Sequence, residues 1–89
     1  MGDNTMPIIS TFYGIQIKMY FRKNEHNPPH FHAYYGDSCA TFEIMTLNMI
    51  DGSLPAKARL LVMEWALMHR DELFQIWESQ NFGKIEPLE

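Results

Sequence analysis

The chain has 89 residues, of which 46% are hydrophobic and 13% aromatic, a composition typical of one globular domain rather than of a disordered segment. Its single cysteine, Cys39, excludes an internal disulfide framework and a zinc site built from several thiolates. The formal net charge of −4 is typical of a poor non-specific nucleic-acid binder. No apolar run approaches the roughly 20 residues that span a membrane, so we expect a cytoplasmic protein without membrane association.

The charge is distributed unevenly along the sequence. Residues 1–35 contain Lys18, Arg22 and Lys23 against two acidic residues, whereas residues 36–89 contain four basic and nine acidic residues. The overall charge therefore argues against coating of DNA. The basic patch near the N-terminus still predicts a local site for one or a few phosphate groups.

The first half of the chain has the pattern of short β-strands. Apolar and polar side chains alternate from Gly14 to Arg22, with Ile15 and Ile17 on one face and Lys18 on the other, which is the pattern of a half-buried strand. A tight hairpin is predicted at Gly36-Asp37-Ser38. The predicted strands are 8–12, 14–22, 30–35, 40–44 and a short one near 49–50 that pairs back onto 42–44.

The second half predicts helix. Ser53 is a good N-cap residue and Pro55 is tolerated in a first turn, so we expect a helix to begin there. Apolar residues then recur at helical spacing until the apolar stripe thins at His69, which predicts one long helix with a break or two consecutive helices. Ile85 and Leu88 are expected to pack back onto the domain.

These patterns together predict an α+β fold. A small antiparallel β-meander sheet of four to five strands is followed by one long or two consecutive α-helices packed on one face. Residues 6–89 are predicted to form this single domain, and residues 1–5 a flexible N-terminal extension.

A cluster of histidines locates the candidate site. His26, His30 and His32 are three of the four histidines, and they lie within seven residues around two prolines. Imidazole titrates near neutral pH, ligates metals and hydrogen-bonds phosphates. Residues i and i+2 of a strand point to the same side. We therefore expect His30 and His32 to share the more exposed face of the sheet, because Phe31 and Ala33 match the core.

One interpretation of this cluster is a metal site. A His-x-His pair on a strand, here His30 and His32, can ligate one divalent metal ion such as zinc. The further ligand would be His26, Glu25 or Asp37. The spacing from His30 to Asp37 resembles part of a cupin metal motif, but a cupin barrel needs more strands than this chain supplies.

A second interpretation is a metal-free anion or catalytic site. His30 and His32 would act as general acid and base around a phosphate, and Arg22 would stabilise the developing charge. Lys18, Arg22 and His26 would bind the anion.

A third interpretation is structural: the imidazole rings pack and hydrogen-bond at the edge of the sheet or in an interface. Neither the spacing nor the composition decides among the three.

Several segments carry a resemblance to a known family. The most specific is His26-Asn27-Pro28-Pro29-His30-Phe31-His32-Ala33, and it is accompanied by residues 6–15, 52–55, 64–66 and 84–88. These segments resemble a bacterial family of unknown function, DUF4160, over almost the whole chain from Met6 onward. The resemblance implies that Met6 is the usual start. Members are commonly encoded beside another small protein in pairs that look like toxin–antitoxin modules, and the family supplies no established catalytic residues.

Two hypotheses from different classes follow. In the first, the protein is a small effector or enzyme of such a two-gene module, acting on RNA or a nucleotide through its histidine cluster. In the second, it is a non-catalytic protein-binding module, antitoxin-like or adaptor-like, in which the histidines are structural. Both imply a small protein partner encoded nearby. An exposed sheet edge in so small a domain also makes a homodimer an expectation.

Overall fold

A computed structural model of the chain describes residues 7–20 and 27–89. The described residues form a five-stranded antiparallel sheet with strand order β1-β2-β3-β4-β5, followed by two consecutive helices. The predicted α+β meander is therefore confirmed. The elements are β1 Ile8–Phe12, β2 Ile15–Lys18, β3 His30–Tyr35, β4 Ser38–Glu43, β5 Met49–Ser53, α1 Ala56–Met68 and α2 Arg70–Ser79. The predicted strand 14–22 is too long, because β2 ends at Lys18 and the described Met19 and Tyr20 are not part of it. Residues 21–22 and the predicted extension at residues 1–5 lie outside the described residues.

Tight turns set the register of the first hairpins. Tyr13 and Gly14 connect β1 to β2, and both have positive φ values, 50° and 79°. Two-residue hairpin loops with φ > 0 at both positions match the right-handed twist of the flanking strands. Gly36 and Asp37 connect β3 to β4, because Tyr35 pairs with Ser38. These short turns keep neighbouring strands in antiparallel register.

One face of the sheet forms the hydrophobic core with the helices. Phe31 and Phe42 stack on neighbouring strands with ring centroids 5.5 Å apart, and the Phe31 ring lies 6.0 Å from that of Trp65 in α1. Alternate residues of each strand supply this face, as the apolar alternation predicts. The fully buried large side chains are Ile9, Ile15, Ile17, Met19, Phe31, Phe42, Ile44, Val62, Trp65, Leu73 and Trp77.

The start of the helical half differs from the prediction. Ser53 is not the helix N-cap, because it still belongs to β5 and pairs with Cys39. Pro55 occupies the N-cap position instead, and α1 begins at Ala56. The strand extends further than an apolar pattern suggests because polar residues at a sheet edge also form ladder hydrogen bonds.

The predicted break near His69 separates two helices. His69 has φ −127° and ψ 23°, outside the helical region, and its ring is hydrogen-bonded to the Glu72 carboxylate at the start of α2. The His69 backbone N–H donates to the carbonyl of Ala66, a tight i→i−3 closure of α1. Neither of the two described helices is long and apolar enough to cross a membrane.

The C-terminal tail packs back onto the domain, as predicted. Ile85 is buried and Leu88 is partly buried against the core. The Ile85 backbone N–H donates to the carbonyl of Ile9 at 2.9 Å, and the Trp65 indole N–H donates to the carbonyl of Glu86 at 2.8 Å. The tail thus bridges β1 and α1.

Replacing Ser10 with alanine is expected to leave the protein as stable or up to about 1 kcal/mol more stable. Ser10 is buried, and its hydroxyl has no hydrogen-bond partner among the described residues. Alanine removes the cost of desolvating this hydroxyl and opens almost no cavity. Urea unfolding of both proteins checks the prediction, and destabilisation of the alanine variant would contradict it.

Candidate functional site

The sheet face turned away from α1 carries a row of polar side chains in register. Lys18 of β2 pairs with His32 of β3, His32 pairs with Thr41 of β4, and Thr41 pairs with Asp51 of β5. Directly opposed residues in antiparallel strands lie close enough for their side chains to interact. An ammonium group, an imidazole, a hydroxyl and a carboxylate therefore follow one another across four strands.

His32 is fixed from several sides within this row. Its Nδ1 and the Thr41 hydroxyl form a hydrogen bond of 3.2 Å. The Tyr20 ring meets the His32 ring edge-on, with centroids 4.5 Å apart. The Tyr20 hydroxyl is also hydrogen-bonded to the Tyr34 hydroxyl. These contacts hold the imidazole in one orientation.

Lys18 is also held in place on this face. Its Nζ lies 4.6 Å from the centroid of the Tyr34 ring, within the range of a cation–π interaction. Both residues are half-buried. The positive charge is therefore confined near the histidines instead of moving freely in solvent.

His30 is more buried than the sequence suggests. Only 9% of its surface is exposed, because the ring packs 5.1 Å from the buried ring of Trp77 in α2. Its Nδ1–H donates to the Pro28 carbonyl at 2.6 Å, which places the lone pair of a neutral ring on Nε2. The expectation that both histidines lie on an exposed face is correct only for the half-buried His32. Trp77 lies 47 positions away in the sequence, so strand alternation gives no signal of this contact.

The two histidines lie together, and Lys18 lies beside them. The ring centroids of His30 and His32 are 5.2 Å apart with nearly perpendicular planes. Arg22 and His26, predicted to bind or stabilise the anion, lie outside the described residues. The cluster also contains Tyr20, Tyr34 and Thr41, which were not predicted as site residues. The signal that points to them is their place among the polar positions of the alternating sequence segments 14–22, 30–35 and 40–44.

The described residues do not assemble the predicted metal ligands. Within residues 7–20 and 27–89, no group of three histidine, cysteine or carboxylate side chains is close enough to hold a metal ion. Asp37 lies in the β3–β4 turn, and β3 alone spans roughly 16 Å from His30 to Tyr35 at about 3.3 Å per residue. Asp37 is therefore at the far end of the strand from His30. A zinc site that uses His26 stays a prediction.

The arrangement has the elements of a phosphate site. Lys18 supplies a fixed positive charge. His32 and Thr41 are hydrogen-bonded to each other, and the one that accepts in that bond keeps an N–H or O–H that can donate to a phosphate oxygen. Two imidazole rings with centroids 5.2 Å apart can also act on one substrate as general base and general acid. In RNA cleavage, one would accept the proton of a ribose 2′-hydroxyl whose oxygen attacks phosphorus. The other would protonate the 5′-oxygen as its bond to phosphorus breaks.

Comparison with known proteins identifies the family but not its chemistry. A family model described as "Domain of unknown function (DUF4160)" matches residues 14–78, from β2 through nearly all of α2, and so includes the whole polar row. Neither the curated proteins nor the solved structures contained a match to this chain. Because the matched region covers well over half of the sequence, the chain belongs to the DUF4160 family.

Proposed function

We propose that this protein is a cytoplasmic bacterial component of a toxin–antitoxin-like two-gene module and that its polar sheet face binds phosphate groups of RNA or a nucleotide. The observation that supports the site is the register of Lys18, His32 and Thr41 on three adjacent strands, with His30 packed beside His32. The role in a two-gene module rests on the family resemblance alone. The partner would be a small protein encoded nearby.

Within the polar row, the positive charge that would attract an anion is that of Lys18, which is separated from the Asp51 carboxylate by His32 and Thr41. Lys18 lies on β2, in the basic N-terminal part of the sequence, whereas most of the acidic residues follow residue 36. A site for one or two phosphates needs only a few donors, unlike a surface that coats a nucleic acid. We therefore expect the protein to recognise a short RNA segment or an RNA end rather than a long stretch of nucleic acid.

Replacing Lys18 with glutamine is expected to weaken binding of a short single-stranded RNA and to lower its salt dependence. Loss of one phosphate contact reduces the slope of log affinity against log salt by about one. The measurement is fluorescence anisotropy of a labelled RNA at several salt concentrations. Lys84→Gln removes the same charge from the exposed tail and is the matched control. Equal effects of the two variants would contradict a specific site at Lys18.

A growth experiment tests the biological role of the histidines. Wild type and a His30→Ala/His32→Ala variant are induced in a bacterial host at matched soluble expression, with and without the neighbouring gene. If the protein is the toxic member, the wild type arrests growth, the variant does not, and the neighbouring gene restores growth. RNA cleavage by the purified wild type but not by the variant would assign the histidines as the acid–base pair.

A second candidate function is binding of a protein through the helical side. Leu60, Leu67 and Met68 of α1 are each more than 60% exposed, and helical spacing places them on one side of the helix. Exposed apolar side chains in such a row are typical of protein contacts. In this alternative the histidine cluster is structural, and the Lys18 and histidine variants would bind the neighbouring gene product as the wild type does.

A further inference from the structure

A pocket at the C-terminal end of β3, on the α1 side of the sheet, is separate from the polar row. Its volume is about 220 Å³, and it lies between the β1–β2 turn, the end of β3 and the start of α1. Ile15 and Ala58 are its buried apolar residues, and Tyr13 and Tyr35 contribute aromatic rings. The remaining lining residues are Pro55, Lys57 and Leu61. We call this the tyrosine pocket.

The two tyrosines of the pocket are exposed although the core is adjacent. Tyr13 is 59% and Tyr35 is 39% exposed. The Tyr35 ring lies against the turn at Gly14, where an added Cβ would be 3.5 Å from its Cε1. Two large aromatic surfaces therefore meet solvent next to an apolar floor.

Tyr13 occupies a backbone conformation that disfavours tyrosine. Its φ of 50° is in the left-handed region, where glycine and asparagine are favoured and a bulky side chain costs stability. An asparagine-glycine pair is the usual solution for such a turn. Strained residues of this kind concentrate at binding sites. The backbone strain at Tyr13 and the exposure of its ring are independent observations about the same residue.

Lys57 adds a positive charge at the rim. It lies in the first turn of α1, where a basic side chain opposes the helix dipole, and that turn contains no acidic residue. No described residue forms an ion pair with Lys57. The charge therefore does not stabilise its own helix or pair with a neighbour, and it faces an aromatic pocket.

The size and chemistry of the pocket define a ligand class. An apolar cavity of about 150 Å³ holds a benzene-sized molecule, so 220 Å³ accommodates one ring and a short substituent. We propose that the tyrosine pocket binds a single aromatic ring that carries a carboxylate, with the ring against Tyr13 and Tyr35 and the carboxylate at Lys57. Such a group occurs in free aromatic acids and at a polypeptide C-terminus that ends in phenylalanine.

The test is a titration of ¹⁵N-labelled full-length protein with 3-phenylpropionate, followed by amide NMR. Saturable shifts are expected at residues 12–15, 35–36 and 56–58, without matching shifts at residues 30–33. The neutral 3-phenylpropanamide is expected to bind about threefold to fivefold more weakly, the effect of losing one exposed ion pair. Absence of saturable shifts, or equal affinity for acid and amide, would overturn the proposal.

Two variants separate binding from folding. Lys57→Gln is expected to remove the preference for the acid over the amide. Tyr13→Asn is expected to weaken both ligands by about tenfold, the effect of losing an aromatic contact, while being at least as stable as the wild type because asparagine tolerates φ > 0. A Tyr13→Asn protein that binds both ligands like the wild type would overturn the assignment.

A peptide identifies the source of the ligand. Gly-Gly-Gly-Phe with a free C-terminal carboxylate is compared with 3-phenylpropionate under the same conditions. Tighter binding of the peptide supports the site and assigns it to a polypeptide C-terminus, whereas tighter binding of the small acid supports it and assigns it to a free metabolite. Failure of both ligands overturns this pocket proposal and leaves the phosphate proposal intact, since that site lies on the opposite face of the sheet.

Discussion

Replacing Gly52 with alanine is expected to destabilise the protein by about 3 kcal/mol or more, enough to leave much of so small a domain unfolded. Gly52 has φ +74°, a conformation that L side chains rarely adopt. An added Cβ would overlap the carbonyl oxygen of Cys39 and lie 2.9 Å from the Cα of Ala40. These are backbone atoms of β4, so the clash cannot be relieved by turning a side chain. Either β5 leaves the sheet or the β4–β5 register changes.

The matched control for this prediction is Gly83→Ala. A Cβ at Gly83 would meet no atom within 4 Å, and its φ is not in the left-handed region. This variant is expected to differ from wild type by less than about 0.5 kcal/mol. Urea unfolding followed by far-UV circular dichroism measures both. A Gly52→Ala protein as stable as the Gly83→Ala protein would contradict the close packing of β5 on β4.

Replacing Trp65 with alanine is expected to cost about 3–5 kcal/mol. Trp65 is fully buried at the centre of the aromatic core, where its ring lies 5.4 Å from that of Phe12 and 6.0 Å from that of Phe31. Its indole N–H also holds the tail through the Glu86 carbonyl. The alanine variant leaves a large cavity and releases this bond.

Two further variants separate these contributions. Trp65→Phe keeps an aromatic ring and removes the hydrogen bond, so we expect a loss of about 1–2 kcal/mol. Leu60→Ala, on the exposed side of α1, is expected to change stability by less than about 0.5 kcal/mol because Leu60 is 63% exposed. The measurement is again urea unfolding. A loss as large for Leu60→Ala as for Trp65→Ala would mean that the exposed side of α1 is covered in solution.

The sheet could be predicted because its signals are local. Ile15 and Ile17 alternate with Lys18 along one strand, and the turn at Gly36 separates two such runs, so strand order follows from adjacency. The helix start could not be placed in the same way. Ser53 has the chemistry of an N-cap, but its pairing with Cys39 in β5 outweighs that preference. A pairing between strands that are distant in the sequence cannot be predicted from a local sequence pattern.

The candidate site could be predicted only in part. The spacing of His30 and His32 places them on one side of a strand, and their rings do lie together. The register of Lys18 and Thr41 beside His32 depends on turn lengths on both sides, which sequence patterns fix only within a few residues. The burial of His30 depends on Trp77 and is a long-range contact. Sequence reasoning therefore predicts which chemistry is present better than how it is assembled.

The bond between Ile85 and Ile9 has a consequence for how this protein can meet a partner. β1 is an edge strand, and edge strands offer unpaired backbone groups that invite another strand to add. The tail occupies part of that edge through the Ile85 N–H. The opposite edge, β5, carries the exposed charge of Asp51 and the left-handed Gly52, both of which discourage strand addition. Both margins of the sheet thus carry features that oppose addition of a further strand, the route that an exposed edge would otherwise offer to a second copy of the chain.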